Sequence, residues 1–167
     1  MSDQPHFRFY PNAYAEGGSF KRSDETCDVC ERQAVWLYTG EIYLEDEPPS
    51  VCARCLASGA LRQRLPDDSF VLQDVVLEGA DEALTNEVLY ATPNVASINP
   101  FEWPVSDGEP LSYVGVGDDP SIKRNAKAQR AITEAFSDLG EEGGHPSHAL
   151  VFKRLDEDDY TAVIDMD

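Results

Sequence analysis

Positive charge is what this sequence has least of. Its 167 residues carry 13 Lys and Arg against 32 Asp and Glu, which gives a formal net charge of −19. From residue 66 to residue 121 there is no Lys or Arg, although twelve acidic residues fall there. Proteins bind nucleic acid by neutralising its phosphates with Lys and Arg. The middle of the chain is therefore excluded as a nucleic-acid surface, and we do not expect nucleic acid as a partner.

Long apolar runs are also missing. No stretch approaches the roughly 20 apolar residues of a membrane-spanning helix. The first residues, 1–6, do not form a basic and then apolar leader. We therefore predict a cytoplasmic protein with no membrane span. Hydrophobic residues at 41% and aromatic residues at 10% favour a folded core over disorder.

Cysteine is scarce, and all four cysteines fall in one pattern. Cys27 and Cys30 form one Cys-x-x-Cys pair, Cys52 and Cys55 form a second, and 21 residues separate the pairs. Four thiolates at this spacing are typical of a tetrahedral zinc site. Two disulfides, a redox pair or unrelated thiols are the alternatives, but a reducing compartment disfavours disulfides. We predict one zinc ion with these four ligands, and a structural role, because the full ligand set leaves no open position.

The residues around the cysteines predict a small zinc module. Residues 34–39 and 42–44 are β-rich runs on either side of a glycine, which predicts a hairpin. Residues 56–62 predict a short helix after the second cysteine pair. This order is that of a treble clef, and a zinc ribbon is the alternative if residues 56–64 are not helical. Residues 7–12 predict a short edge strand or an extended arm.

The rest of the chain predicts helices and strands in alternation. Residues 80–90 predict a helix with Asp81 as its N-cap. Residues 111–116 predict a strand, and residues 149–155 and 160–165 predict a terminal hairpin that completes a sheet with it.

One long amphipathic helix is predicted between that strand and the terminal hairpin. Ser121 is its predicted cap, and Gly140 is its predicted end. The residues at helical spacing are Ile122, Ala126, Gln129, Ile132, Phe136 and Leu139. Phe101 and Trp103 are predicted to pack over a core rather than to clamp a ligand. His145 and His148 are predicted to be loop residues rather than metal ligands.

These elements define an α+β fold class. We expect a treble-clef or zinc-ribbon-like four-cysteine module packed on a small antiparallel or mixed sheet with one long helix. Residues 1–66 are predicted to form the zinc-binding module with its N-terminal arm. Residues 67–167 are predicted to form an acidic α+β region that packs with the first as one unit.

Several blocks of residues stand out, which are residues 7–12, the first cysteine pair, residues 38–43, residues 52–60, Phe70, Asp74, residues 91–93, Trp103 and residues 112–115. These blocks resemble the CbrC family of uncharacterised bacterial proteins. The resemblance implies a link to colicin tolerance and to toxin-immunity proteins, in a family with no established enzymatic activity. Many members of that family end with a further Cys-x-x-Cys pair, whereas residues 150–158 contain no cysteine.

Three functional hypotheses follow. The leading one is a zinc-stabilised interaction protein, of immunity or colicin-tolerance type, whose acidic surface binds a basic protein partner such as a basic toxin. A small zinc-dependent hydrolase is the first alternative, although no serine, histidine and carboxylate set can be ordered into a triad. The second is a nucleic-acid-associated zinc module that uses Arg54, Arg62 and Arg64. Adaptation to a salty cytoplasm is the other explanation of the acidic excess.

A cluster of basic residues contrasts with the overall charge. Lys123, Arg124, Lys127 and Arg130 fall within eight positions near the start of the long helix, where positive charge opposes the helix dipole. We predict that they pair internally with Asp118, Asp119 and the acidic middle of the chain. A recognition patch for an acidic segment or for nucleic acid is the alternative, and the net charge of −19 weighs against nucleic acid.

Overall fold

The computed structural model describes residues 2–65, 70–141 and 144–166. The fold is mixed α+β, with small sheets, five helices and the four cysteines close together near the N-terminus in these described residues. The chain divides into two compact units, which are residues 1–74 with 82–96 (unit 1) and residues 75–81 with 97–167 (unit 2). The predicted domain boundary at residues 66 and 67 lies outside the described residues and stays a prediction.

Unit 1 contains a two-stranded sheet and three helices. Its two strands pair antiparallel, with Phe20 opposite Tyr38 and Arg22 opposite Trp36. The elements are β1 (Phe20–Arg22), β2 (Trp36–Tyr38), α1 (Ala53–Ala57), α2 (Ala60–Arg64) and α3 (Glu82–Ala91). The helix predicted over residues 80–90 is thus confirmed as α3. The helical residues after the second cysteine pair favour the treble-clef order over the zinc ribbon.

The predicted hairpin of residues 34–39 with 42–44 is wrong. The strand β2 pairs with β1, which precedes the first cysteine pair, because this pairing buries Phe20 and Tyr38 side by side with ring centroids 5.5 Å apart. Residues 41–47 carry four acidic residues, all exposed, and cannot form the buried half of a hairpin. Among the described residues, Tyr43 forms an isolated bridge with Val71 instead.

The predicted strand or arm at residues 7–12 is also wrong. The chain forms turns there, with the Tyr10 N–H donating to the Phe7 carbonyl at 3.0 Å. These turns bury Phe7, Phe9 and Tyr10, and the Phe7 ring stacks on Phe20 at 5.3 Å. Burial of large aromatic side chains outweighs the β propensity of the segment because each removes a large apolar area from water.

A buried hydrogen-bond network holds residues 70–74 to residues 92–95 in unit 1. The Gln73 amide is 1% exposed, donates to the Pro93 carbonyl at 2.6 Å, and accepts from the Val95 N–H at 3.0 Å. The Asn94 amide donates to the Leu72 carbonyl at 2.6 Å. Each side chain therefore satisfies backbone groups that would otherwise be buried without partners.

Unit 2 is built on a three-stranded antiparallel sheet. The strands β7 (Ser112–Val116), β8 (Ala149–Lys153) and β9 (Tyr160–Ile164) are neighbours in that order, which confirms the sheet predicted from residues 111–116 and the terminal hairpin. The elements are β3 (Val75–Val76), β4 (Phe101–Glu102), β5 (Val105–Ser106), β6 (Glu109–Pro110), β7 (Ser112–Val116), α4 (Pro120–Lys123), α5 (Ala126–Asp138), β8 (Ala149–Lys153) and β9 (Tyr160–Ile164).

The predicted long helix is interrupted, and its predicted cap is wrong. The helix α5 begins after Asn125, whose side chain accepts hydrogen bonds from the N–H groups of Lys127 and Ala128 and so caps it. Asn125 has extended backbone angles, and α4 is therefore a separate turn. Leu139 is 57% exposed rather than inward. The helices α4 and α5 and the strand β8 contribute to one buried cluster, which consists of Ile122, Ala128, Ile132, Phe136, Ala149 and Val151.

Trp103 is a core residue, as predicted. Its side chain is fully buried, its indole Nε1 donates to the Leu111 carbonyl at 2.9 Å, and its ring meets Phe152 edge-on at 5.0 Å. The described parts of the chain contain no helix with the length and apolar character to cross a bilayer.

Candidate metal centre

The first cysteine pair lies in the connection between β1 and β2. Thr26 forms a bridge with Gln33, and the Cys27 N–H donates to the Arg32 carbonyl at 2.9 Å. Glu31 adopts a left-handed backbone (φ 58°), and its N–H donates to the Cys27 carbonyl at 2.8 Å. The chain thus reverses tightly around Cys27 and Cys30, which turns both side chains toward one point.

The second cysteine pair is held by β2 and by the start of α1. The Tyr38 N–H donates to the Val51 carbonyl at 2.9 Å, and Leu37 forms a bridge with Cys52. Cys52 is the residue that precedes α1, and Cys55 lies in its first turn. Residues three apart at a helix start face the same way, so both thiols point back toward the first pair.

A reciprocal pair of hydrogen bonds ties the two halves of the site together. The Asp28 N–H donates to the Ser50 carbonyl at 2.8 Å, and the Ser50 N–H donates to the Asp28 carboxylate at 2.7 Å. Asp28 follows Cys27, and Ser50 lies two residues before Cys52. These bonds therefore fix the distance between the two pairs from outside the ligand set.

The four sulfur atoms form one compact group. The ligand atoms of Cys27, Cys30, Cys52 and Cys55 all lie within 4.8 Å of one another, and the Cys30 and Cys52 sulfurs are 3.9 Å apart. A tetrahedral zinc ion with Zn–S bonds of about 2.3 Å places its sulfurs about 3.8 Å apart. The four cysteines that the spacing selected are thus brought together and could hold a metal ion such as zinc.

The four thiols differ in environment. Cys27, Cys52 and Cys55 are buried, whereas Cys30 is partly exposed. Burial raises the pKa of the Cys52 and Cys55 thiols, and for Cys55 the neighbouring cysteines add to the rise. Partial burial also acts to raise the pKa of Cys30, but hydrogen bonds from the Arg32 backbone and the other thiols outweigh it and lower the pKa to about 7.

Two further groups stabilise negative charge in the site. The Cys52 N–H donates to the Cys27 sulfur at 3.3 Å, as a backbone amide does to a thiolate. The Arg54 guanidinium hydrogen-bonds to the Cys52 thiol and contacts the Asp3 carboxylate at 3.3 Å. Partial burial acts to lower the pKa of Arg54, but these contacts outweigh it, and the pKa is raised above its ordinary value. Arg54 therefore places a fixed positive charge beside four potential thiolates.

The three arginines on which the nucleic-acid hypothesis rests make contacts with other residues of the chain. Arg54 contacts Asp3, and the Arg62 guanidinium lies 4.5 Å from the centroid of the Tyr90 ring. Arg64 donates to the Val29 carbonyl at 2.9 Å. These contacts organise unit 1 around the cysteines.

The predicted internal pairing of the basic cluster is found for two of its members. Lys123 pairs with Asp118 at 3.4 Å, as predicted, and Lys127 pairs at 3.3 Å with Asp158, which follows β8 rather than belonging to the acidic middle. The His145 ring nitrogen contacts the Ser147 hydroxyl at 2.6 Å. Among the described residues, the group of three or more His, Cys, Asp or Glu side chains that could hold a metal ion consists of the four cysteines, and it does not include His145 or His148.

Unit 2 carries an acidic patch whose member residues the sequence did not identify. The strands β3 and β4 pair in parallel, with Val76 opposite Glu102, and the Asp81 N–H donates to the Gly108 carbonyl at 3.1 Å. These bonds connect three acidic segments. The acidic patch consists of the exposed residues Glu78, Asp81, Glu102, Asp107 and Glu109.

The acidic patch also has an apolar member and a cationic neighbour. Val76 is 65% exposed next to Glu102. Arg154 donates to the Asp107 carboxylate at 3.1 Å and to the Ser106 hydroxyl at 2.9 Å. The signal in the sequence was the run of acidic residues without Lys or Arg, but only the strand pairing shows which of them lie on connected elements.

The fold and the site define an α+β protein with a four-cysteine candidate metal centre. Residues 4–163 match the model of an uncharacterised protein family, UPF0167. The chain belongs to that family. No solved structure matches it.

Relatives in this family come from several bacteria. A UPF0167 protein of Mycobacterium bovis is 29% identical over 112 residues, which are 66% of this chain and 59% of that protein. A UPF0167 protein of Pseudomonas aeruginosa is 31% identical over 116 residues, which are 66% of this chain and 63% of that protein. The matched region thus spans less than two thirds of the length of either relative.

The family match corrects the predicted assignment to the CbrC family. The family model and the matched relatives are those of UPF0167, and neither is CbrC. The expectations of colicin tolerance and toxin immunity rested on that assignment and lose their support with it. UPF0167 is itself uncharacterised, so membership assigns no activity.

Proposed function

We propose that this protein is a zinc-stabilised protein-interaction module. A zinc ion bound by Cys27, Cys30, Cys52 and Cys55 stabilises unit 1, and the acidic patch of unit 2 binds a basic protein partner. The observation that carries the proposal is the compact group of four cysteine sulfurs, all within 4.8 Å of one another.

Zinc is the metal that best suits this ligand set. Four soft thiolates in a tetrahedral arrangement select zinc or an iron–sulfur centre rather than magnesium or calcium. Cys-x-x-Cys pairs from a tight turn and from a helix start are the usual frame of a structural zinc site. Because four protein ligands fill the coordination sphere, the ion has no position for substrate, which argues against a zinc hydrolase. Its binding free energy instead adds to the free energy of folding.

The acidic patch supports a basic partner. Carboxylates on connected elements attract a cationic surface over distances of about 10 Å at moderate salt and raise its association rate. Val76, exposed beside Glu102, offers an apolar contact within that charged surround, which resembles the centre and rim of a protein interface. Arg154 pairs with Asp107 at 3.1 Å and so reduces the charge of that member of the patch.

Metal analysis tests the zinc part of the proposal. The purified chain should contain about one zinc ion, and Cys52→Ser should lose it together with a large part of its thermal stability. Ser58→Ala, at a hydroxyl close to the ligands but outside the set, is the matched control and should retain zinc. A chain that unfolds at the same temperature with zinc and after chelation would disprove the structural role.

Peptide binding tests the acidic patch. A fluorescent decalysine peptide should bind with an affinity that falls as salt rises. The triple variant Glu78→Gln, Glu102→Gln, Glu109→Gln should weaken it roughly tenfold, because each exposed charge contributes about 0.5 kcal/mol. The control triple Glu134→Gln, Asp138→Asn, Glu141→Gln removes the same charge from exposed positions of unit 2 outside the patch. Equal losses in the two triples would refute a role for the patch.

A further inference from the structure

The four candidate ligands are unequally protected from solvent. Cys27 is 0% exposed, Cys52 is 4% exposed and Cys55 is 5% exposed, whereas Cys30 is partly exposed. Cys30 lies near the outer end of the turn between β1 and β2, where Asp28 and residues 31–33 are all exposed. A small reagent from solvent therefore reaches the Cys30 sulfur before it reaches the other three.

One sulfur of the other cysteine pair lies close to the Cys30 sulfur. The Cys30 and Cys52 sulfurs are 3.9 Å apart, and a disulfide bond is about 2.05 Å long. Closing that gap requires a movement of about 2 Å. Cys30 lies in a turn whose neighbouring residues are exposed, whereas Cys52 is held by its bridge to Leu37 in β2 and by its position at the start of α1.

We propose that Cys30 is a site of oxidation by hydrogen peroxide, and that Cys52 converts the oxidised Cys30 into a Cys30–Cys52 disulfide that releases the metal. This inference rests on the proposed zinc site. It adds a modification site and a class of reactant, a small uncharged peroxide, to a centre that otherwise has only a structural role.

The chemistry balances in two steps. The Cys30 thiolate attacks one peroxide oxygen, the O–O bond breaks, hydroxide leaves, and Cys30 becomes a sulfenic acid. The Cys52 thiolate then attacks the Cys30 sulfur, the S–O bond breaks, and a second hydroxide leaves as the S–S bond forms. The two sulfurs together lose two electrons, and hydrogen peroxide gains them. The metal keeps only Cys27 and Cys55 as ligands and dissociates.

The identity of the disulfide has a structural consequence. A Cys30–Cys52 bond joins the two cysteine pairs covalently and replaces the crosslink that the metal supplied. A bond within the first pair, Cys27 to Cys30, would leave the second pair unattached. The proposed product therefore retains the connection between the β1–β2 turn and α1 after metal loss, and reduction in the presence of zinc restores the original centre.

Zinc release and disulfide mapping test the inference. Zinc-loaded protein is treated with one equivalent of hydrogen peroxide, release is followed with a chromogenic chelator, and disulfides are mapped by non-reducing peptide mass spectrometry. We expect loss of about one zinc per chain with a Cys30–Cys52 crosslink that dithiothreitol reverses. A dominant Cys27–Cys30 crosslink, or zinc retention under peroxide, would overturn the inference.

Two variants and one prior measurement separate this test from the proposed function. Zinc content is measured before oxidation, and a chain that never binds zinc refutes the zinc site itself. Cys30→Ser should abolish the crosslink to Cys52, whereas Cys55→Ser should still form it, because Cys55 takes no part in either step. A Cys30→Ser variant that crosslinks Cys52 to Cys27 as readily would refute the special position of Cys30. If Cys55→Ser does not fold, the map of the unsubstituted protein decides.

Discussion

Asp28 is predicted to strengthen metal binding without touching the metal. Its carboxylate accepts the Ser50 N–H at 2.7 Å, while its own N–H donates to the Ser50 carbonyl. The substitution Asp28→Ala removes the first bond and leaves the second, because the second uses only backbone atoms. One hydrogen bond between Asp28 and Ser50, instead of two, then keeps the two cysteine pairs close together.

The size of the effect follows from the chemistry and exposure of that bond. A hydrogen bond to a charged group contributes about 1.5–3 kcal/mol. Asp28 is exposed, and screening by water reduces such a contribution to about 1 kcal/mol. Metal binding includes the ordering of both pairs, so the lost energy weakens the zinc complex roughly fivefold. Asp28→Asn keeps a neutral acceptor and should lose roughly half as much free energy.

Chelator competition at neutral pH measures this directly. Zinc affinity is compared for the unsubstituted chain, Asp28→Ala, Asp28→Asn and the control Asp24→Ala, which removes an exposed carboxylate from the same turn region. We expect Asp24→Ala to match the unsubstituted chain. If Asp28→Ala bound zinc as tightly as the control, the two pairs would be positioned by the metal itself and the argument from the Ser50 bonds would fail.

Two further predictions concern unit 1. Gln73→Ala should lower the free energy of unfolding by about 3 kcal/mol, because it leaves the Val95 N–H and the Pro93 carbonyl buried without their partner; urea unfolding should show a lower midpoint at unchanged slope. Burial raises the pKa of Tyr38 above the ordinary 10.0, so its contribution to stability is complete below pH 10 and is lost as pH rises above it. Tyr38→Phe should reduce this loss, which is measured by urea unfolding as the difference between the free energies of unfolding below and above pH 10.

Local patterns predicted the elements whose information is local. The spacing of the cysteines selected the four sulfurs that come together, because three-residue spacing in a turn or at a helix start sets side-chain direction directly. The two strand-like runs at residues 149–155 and 160–165, joined by a short turn, predicted β8 and β9 because a hairpin pairs neighbours in sequence. The helical spacing of apolar residues predicted α5 for the same reason, since it also depends on residues close together in the sequence.

Non-local choices were not accessible in this way. Residues 34–39 could pair with 42–44 or with β1, and the choice depends on burying Phe20 against Tyr38 across the first cysteine pair. From the sequence, Asn125 could be a helix-interior residue or a cap. It is the cap, because its side chain accepts hydrogen bonds from two backbone N–H groups. The parallel pairing of β3 with β4 joins residues 26 positions apart, so the acidic patch has no signature within any short window.

The discontinuity of unit 1 matters for anyone who divides this chain. Unit 1 includes residues 82–96 as well as the cysteine-bearing residues, so both cysteine pairs leave the ribosome before the segment that completes their unit. A fragment that ends soon after Cys55 retains every candidate ligand but lacks α3. A fragment that ends at Asp74 retains Gln73 but not the backbone groups of Pro93 and Val95 that its amide binds. Expression of the cysteine-bearing unit by itself should therefore extend through Ala96.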